Sequence, residues 1–293
     1  MYTAPITKML NLMLNSTWTR DLLMNIARQG PIPEHIALIM DGNRRFARTH
    51  DMQIDRGHRL GSSALETVMG ACQIAGVKVL TVYAFSTENL HRPREQVDAL
   101  MALLREQLER CSAPGGMVQQ LGLAIRVLGR LDLLDDETRD AVAKAVDATA
   151  GGKRFVLNLC VAYSSRDEMT RAVRRGVEGY PQTAITAQLL SDKMDTADNA
   201  PVDLLVRSSG VYRLSDFLLW QCHQDTQIQI VDTLWPDFGA WEFFMVLLRW
   251  QRMKTAARSR PASSQMIASS SISFALPLLL SFLSAVSYYF LTV

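Results

Sequence analysis

Asp41 stands at the end of an apolar run, HIALIM at residues 35–40, and is followed by Gly42, Asn43, Arg44 and Arg45. A carboxylate at such a place costs free energy unless it binds something. Gly42 lets the backbone approach a ligand closely. A helix opening just after it presents free amides to a phosphate. Arg44 and Arg45 supply planar donors that match phosphate oxygens. A carboxylate beside phosphates also suits Mg2+, a hard cation that prefers oxygen ligands. A plainer reading fits the same residues, with Asp41 capping a helix and the arginines on its solvated face.

Two further polar clusters follow apolar runs. Tyr83-Ala84-Phe85-Ser86-Thr87-Glu88-Asn89 leads to His91, Arg92 and Pro93, and reads either as a site or as a capping turn opened by Ser86 or Thr87. Arg207-Ser208-Ser209-Gly210-Val211-Tyr212-Arg213-Leu214-Ser215-Asp216 places two arginines around a hydroxyl-rich loop. That loop reads as a second anion cradle or as an ordinary βα loop with surface arginines, and Ser215 or Asp216 is suited to cap a following helix. Two such cradles suggest two anionic ligands, or one ligand with two anionic ends. The chain contains no GxxxxGK[ST], no GxGxxG after a strand and no GxSxG. Phosphate-loop nucleotide binding, dinucleotide binding and a serine nucleophile elbow therefore lack support.

The elements that position these clusters follow from hydrophobic patterning. Strand-like runs fall at 35–40, 78–84, 123–128, 154–161, 202–206 and 228–231. Helical periodicity falls near 60–75, 94–110, 135–149, 166–178, 186–194 and 239–252. In the first helix Leu60, Ala64, Leu65, Val68, Met69 and Cys72 share one face, and Gly76 stops it. Strands that are apolar throughout, each followed by a helix, predict an α/β fold with a central, mostly parallel six-stranded sheet covered on both faces. Ligands in such sheets bind beyond the carboxyl ends of the strands, where all three clusters fall.

Of 293 residues, 48% are hydrophobic and 20% charged, and the net charge is only +2. That composition buries a substantial core and gives no global basic field for nucleic acid. Cys72, Cys111, Cys160 and Cys222 are scattered, without metal-ligand spacing. Residues 1–30 carry an amphipathic pattern through Met9, Leu10, Met13, Leu14, Trp18, Leu22 and Leu23. Residues 31–252 form the body, 253–271 a basic and then serine-rich linker, and 272–293 an uncharged apolar helix, long enough to span a membrane, that reads as a transmembrane or membrane-associated segment or as a buried C-terminal helix. Arg249, Arg252, Lys254, Arg258 and Arg260 before it predict a cytosolic body.

The clusters together resemble the cis-prenyltransferases, which include bacterial undecaprenyl and eukaryotic dehydrodolichyl diphosphate synthases. The resemblance is carried by HIALIMDGNRRFA at 35–47, GH at 57–58, VYAFSTENLHRP at 82–93, LNLCVAYSSRDE at 157–168, DLLVRSSGVYRLSDFLLWQ at 203–221 and LWPDF at 234–238. DGNRR and RLSDFLLWQ are similar to the eukaryotic branch. The resemblance implies an enzyme that condenses isopentenyl diphosphate repeatedly onto farnesyl diphosphate, making a long Z-polyprenyl diphosphate for dolichol synthesis and protein glycosylation. It implies Asp41 as the Mg2+ ligand, with Asn43 also serving the condensation. Gly42, Arg44, Arg45, His58, Phe85, Ser86 and Arg92 match the allylic site, and Arg207, Arg213 and Ser215 the isopentenyl diphosphate site.

The departures from the family pattern are specific. Ile54 replaces an arginine before Gly57-His58, with Arg56 nearby. Gln96 replaces a glutamate, with Glu95 beside it. CHQDTQ at 222–227 lacks the glutamate of bacterial members, leaving Asp225 as a candidate second metal ligand. No Arg-x-Gly motif follows Trp250. The resemblance therefore implies a heteromer with a Nogo-B-receptor-type subunit supplying that motif, at the cytosolic face of the endoplasmic reticulum membrane. The alternative is a non-catalytic partner subunit on the same fold, which tends to lose the aspartate and the paired arginines.

Overall fold

A computed structural model describes residues 16–258, apart from residues 114, 153 and 180–183. The apolar segment 272–293 and the first part of the N-terminal amphipathic pattern lie outside the described residues. The chain divides into two compact units, Met1–Lys254 and Thr255–Val293. The sheet and every candidate site residue belong to the first.

Six strands form one sheet: β1 (His35–Ile39), β2 (Val79–Tyr83), β3 (Leu123–Leu128), β4 (Phe155–Cys160), β5 (Leu204–Arg207) and β6 (Gln227–Ile230). Their spatial order is β3-β4-β2-β1-β5-β6, and every pairing is parallel. Each predicted strand is present. The interior strands β1 and β5 are buried at every position, whereas the edge strands β3 and β6 are only partly buried. That gradient follows from helices covering both faces of the middle of the sheet.

The helices are α1 (Thr17–Ala27), α2 (Asn43–Thr49), α3 (Ile54–Ala75), α4 (Arg94–Ser112), α5 (Met117–Leu121), α6 (Asp136–Thr149), α7 (Ser165–Gly179), α8 (Ala187–Asp192) and α9 (Ala240–Arg258). Ser16 caps α1 by accepting from Thr19 N at 3.2 Å. Trp18, placed on the apolar face by periodicity, is 69% exposed, and Leu23 and Met24 carry the buried face instead. Helix α3 starts six residues before the expected Leu60, and Gly76 ends it in a left-handed cap. α9 runs to Arg258, into the stretch read as a linker. Its last turns contain no proline or glycine, alanine favours the helix, and Lys254 lies 5.6 Å from the Trp250 ring centroid.

Three polar side chains in otherwise apolar strands are linked by hydrogen bonds. The His35 Nδ1–H donates to Ala200 O (2.7 Å), which leaves Nε2 to accept from the Thr81 hydroxyl (2.7 Å). Asn158 Nδ2 donates to that same hydroxyl oxygen at 2.9 Å. These bonds offset much of the burial cost, although Asn158 Oδ1 has no hydrogen-bond partner among the described residues.

Candidate active site at the carboxyl edge of the sheet

The register places the first and third clusters together. Ile39 is level with Arg207 across β1 and β5, so the residues that follow both strands meet. Gly42 is the N-cap of α2 with φ +113°, and a side chain there would be strained as well as crowded by Leu234. Asp41 therefore does not cap the helix. Its backbone is pinned from two sides. Asp41 N donates to Ser208 Oγ (2.9 Å), that hydroxyl donates to Asp41 O (2.6 Å), and Trp235 N donates to the same carbonyl (3.0 Å).

The Asp41 carboxylate accepts from Arg207 Nη2 at 2.7 Å. Arg207 is only 3% exposed, and its Nη1 donates to Arg213 O (2.5 Å) and Ser215 Oγ (2.8 Å). Arg213 Nε donates to the same hydroxyl at 3.3 Å. Burial pushes the Asp41 carboxyl up, but the hydrogen bond and charge of Arg207, a hydrogen bond from the Ser209 side chain and the charge of Arg45 outweigh it. The net effect holds Asp41 below the usual carboxylate range, as the anion.

Asn43 is set by the approach of two helices. A Cβ on Gly57 would lie 2.8 Å from Asn43 O, and one on Gly61 would lie 2.3 Å from Asn43 Oδ1. This is the physical reason for the glycine beside His58: α3 must run against the start of α2. Asn43 Nδ2 donates to Met40 O (3.3 Å), while Oδ1 is buried without a hydrogen-bond partner among the described residues. Arg207 Nε is buried and unpartnered in the same way. Buried polar atoms of this kind call for a ligand. Arg45 Nη2 reaches across to Ser209 O at 2.9 Å.

On the other side of the cavity Arg44, His58 and Arg92 form a cationic cluster. Burial and the charges of Arg92 and Arg44 lower the His58 pKa from 6.5, with Asp55 opposing. Burial and Arg44 likewise lower that of Arg92. Mutual repulsion of this sort is relieved by an anion. Phe85 is buried against the cavity. Ser86 lines it too, but its hydroxyl also caps the short 3-10 helix Thr87–His91, accepting from Asn89 N at 3.3 Å. For Ser86 the capping reading is correct alongside the lining one.

Asp41, Gly42, Asn43, Arg44, Arg45, His58, Phe85, Ser86, Arg92, Arg207, Arg213 and Ser215 all line one cavity of ≈ 460 Å³. Its polar mouth continues between α3, α4 and β4 past Leu65, Met69, Leu100, Leu104, Leu108, Leu157 and Leu159. The cavity thus joins an anion-binding mouth to an apolar channel. Three contributors went unassigned from sequence: Ser208, Gly61 and Trp235, whose Nε1 donates to Gly61 O at 2.7 Å. Gly61 had a visible signal, as a second glycine one turn after Gly57. Asp216 does not cap a following helix. It accepts from Arg166 N (3.1 Å) at the start of α7, because residues 217–222 turn rather than coil into a helix.

Asp225 is corrected as a metal ligand. It precedes β6 and is exposed, so it stands at the amino edge of the sheet, across from Asp41. Among the described residues no three His, Cys, Asp or Glu side chains converge. One carboxylate beside arginines, with an unpartnered buried oxygen at Asn43, fits an ion held jointly by protein and substrate phosphates.

The family model described as "Putative undecaprenyl diphosphate synthase" matches residues 39–257. A dehydrodolichyl diphosphate synthase complex subunit of Schizosaccharomyces pombe is 38% identical over 80% of this chain and 92% of its own length. The corresponding complex subunit of Homo sapiens is 39% identical over 80% of this chain and 72% of its own. The crystal structure of lavandulyl diphosphate synthase from Lavandula x intermedia, in complex with dimethylallyl diphosphate, superposes with a TM-score of 0.68 at 27% identity. That match covers 75% of this chain and 95% of the other. With its parallel sheet, its paired arginine loops and these relatives, the chain belongs to the cis-prenyltransferase family.

Proposed function

We propose that this chain is the catalytic subunit of a dehydrodolichyl diphosphate synthase, which elongates farnesyl diphosphate with isopentenyl diphosphate in Z geometry. The observation that carries the reading is the Asp41–Arg207 contact at 2.7 Å. It joins two arginine loops at one mouth, above an apolar channel suited to a growing hydrocarbon chain. Gly42, Arg44, Arg45, His58 and Arg92 bind the allylic diphosphate, with Phe85 and Ser86 beside the reacting carbons. Arg207, Arg213 and Ser215 bind isopentenyl diphosphate. Holding two diphosphates side by side supplies much of the rate, because orientation replaces a bimolecular encounter. The arginines then stabilise charge as it builds on the departing diphosphate. The carboxamide of Asn43 opens the helix after β1, where its free Oδ1 can accept a hydrogen bond that orients the reactants, while the proton shed as the new double bond forms goes to an oxygen of the departing diphosphate. Bound Mg2+, held by Asp41 with phosphate oxygens, adds Lewis-acid neutralisation of the leaving group.

The naming of both fungal and human relatives as complex subunits supports a heteromer, here with a Nogo-B-receptor-type subunit that supplies the Arg-x-Gly motif. Asp41, Arg207 and Arg213, the residues a non-catalytic partner tends to lose, are present and joined, which supports the catalytic role. Among the described residues no helix is long and apolar enough to cross a membrane. We place the enzyme at the cytosolic face of the endoplasmic reticulum on the chemistry of its very apolar product.

The test is incorporation of labelled isopentenyl diphosphate with farnesyl diphosphate and Mg2+, with and without the partner subunit. Butanol-extractable product should appear with the partner, and should vanish on chelation or in Asp41→Ala. No incorporation in either condition removes the enzyme reading.

A further inference from the structure

The loop that carries Arg213 and Ser215 holds an unusual backbone. Four residues other than glycine, Ser209, Ser215, Asp216 and Leu218, have φ of 79°, 51°, 60° and 46°. Side chains disfavour that region, and two of the four are consecutive. Such a conformation persists only where its surroundings impose it. The imposing contacts come from the start of α7. Ser165 N donates to Asp216 O (2.7 Å), and Ser165 Oγ accepts from Leu219 N (2.7 Å). The Asp216 carboxylate accepts from Arg166 N (3.1 Å) and from Arg166 Nε (2.8 Å). The Tyr83 hydroxyl reaches both Ser215 O (3.2 Å) and Tyr163 O (3.1 Å).

The same segment holds the opposite loop. Tyr163 N donates to Phe85 O (3.2 Å), and Thr87 N donates to Tyr163 O (3.1 Å). Residues 163–166, none of them lining the cavity, therefore bracket both halves of its mouth. On one side they fix Phe85 and Ser86, and on the other Ser215. Ser215 in turn accepts from Arg207 and Arg213, so its left-handed backbone decides where that hydrogen-bonded triangle sits.

We propose that Asp216 is a positioning residue for the isopentenyl diphosphate subsite. Clamped on the first turn of α7 by Arg166, it holds Ser215 left-handed and thereby sets the Arg207–Ser215–Arg213 triangle. This rests on reading that triangle as the isopentenyl diphosphate subsite. An ordinary structural residue would disturb both substrates alike. Asp216 acts on one of them.

The experiment is steady-state kinetics of the full chain with its partner subunit, varying each substrate in turn. Asp216→Ala should raise the KM for isopentenyl diphosphate about tenfold, the size expected when a charge-assisted hydrogen-bond network is lost. The KM for farnesyl diphosphate should stay within about twofold. Asp216→Asn, whose amide oxygen still accepts from Arg166 N, should recover most of the loss. Equal rises in both KM values, or no rise in either, would overturn the positioning role while leaving the function intact. A wild-type protein that incorporates no label would overturn the function and this inference with it. If Asp216→Ala does not fold, Arg166→Ala removes only an exposed guanidinium and should raise the same KM about threefold; an unchanged KM there overturns the proposal equally.

Discussion

At the end of β5, Arg207 is buried and directs its two terminal nitrogens at Asp41, Arg213 O and Ser215. In the helix after β1, Arg44 is exposed and repels Arg92, and the two charges with burial keep the half-buried His58 from taking up a proton. Both halves of the mouth are cationic, yet one is internally neutralised and the other is not. The β5 half is preorganised: its arginine is already desolvated and aimed, so little reorganisation remains when an anion arrives. The β1 half is poised electrostatically. It stores like-charge repulsion that an anion relieves, and it relies on glycines rather than ion pairs for its shape. A division of labour follows. The preorganised half suits a small substrate admitted anew at every cycle. The charged half suits a diphosphate carried on a long apolar chain that must be gripped and then released.

The largest expected effect comes from removing the link between the halves. Asp41→Ala, besides ending incorporation, leaves the Arg207 guanidinium buried without its counter-charge. That should cost on the order of 2 kcal/mol in denaturant unfolding, less than a wholly buried pair because Asp41 is partly exposed. Gly61→Ala attacks the glycine-built half alone. Its Cβ meets Asn43 Oδ1 and Trp235, so kcat should fall about 30-fold, with roughly 1–2 kcal/mol of overpacking and a normal isopentenyl diphosphate KM. An unchanged kcat would show that Asn43 is not held by α3.

The smallest effect is a pH dependence confined to the charged half. His58 is lowered below 6.5 by burial and by Arg92 and Arg44, so it is neutral in the free protein at pH 7. A bound diphosphate raises its pKa, so binding takes up a proton and tightens as pH falls from 8 towards 6. The allylic KM should therefore drop about three- to fivefold over that range in the wild type, and by clearly less in His58→Gln. Equal slopes in the two proteins would remove His58 from the site. The stability contribution has the opposite sign: burial of the neutral ring is fully tolerated above pH 6.5, and stability is lost as pH falls from there towards the lowered value.

Much of this was legible in the residues. All six strands were readable because a sheet covered on both faces demands unbroken apolar runs, and HIALI and LLVR supply them. The site was legible because Asp41, Arg207 and Arg213 follow such runs, and the parallel register then forces them together. Asp216 was misjudged because a cap read from sequence looks for the helix that comes next, whereas its partner helix begins 51 residues earlier in the chain, at Ser165. Trp18 misled for a related reason: periodicity gives a face, not what covers it. Gly61, Ser208 and Trp235 act through their neighbours' backbone and side-chain positions, which no local pattern encodes.

Crossed kinetics of two arginine variants test most directly the claim that the halves are separate diphosphate subsites. With the partner subunit present, Arg213→Ala should raise the KM for isopentenyl diphosphate at least about tenfold and leave that for farnesyl diphosphate nearly unchanged. Arg45→Ala should do the reverse. If each variant raises both KM values by the same factor, the mouth is a single undivided anion site and the account is wrong.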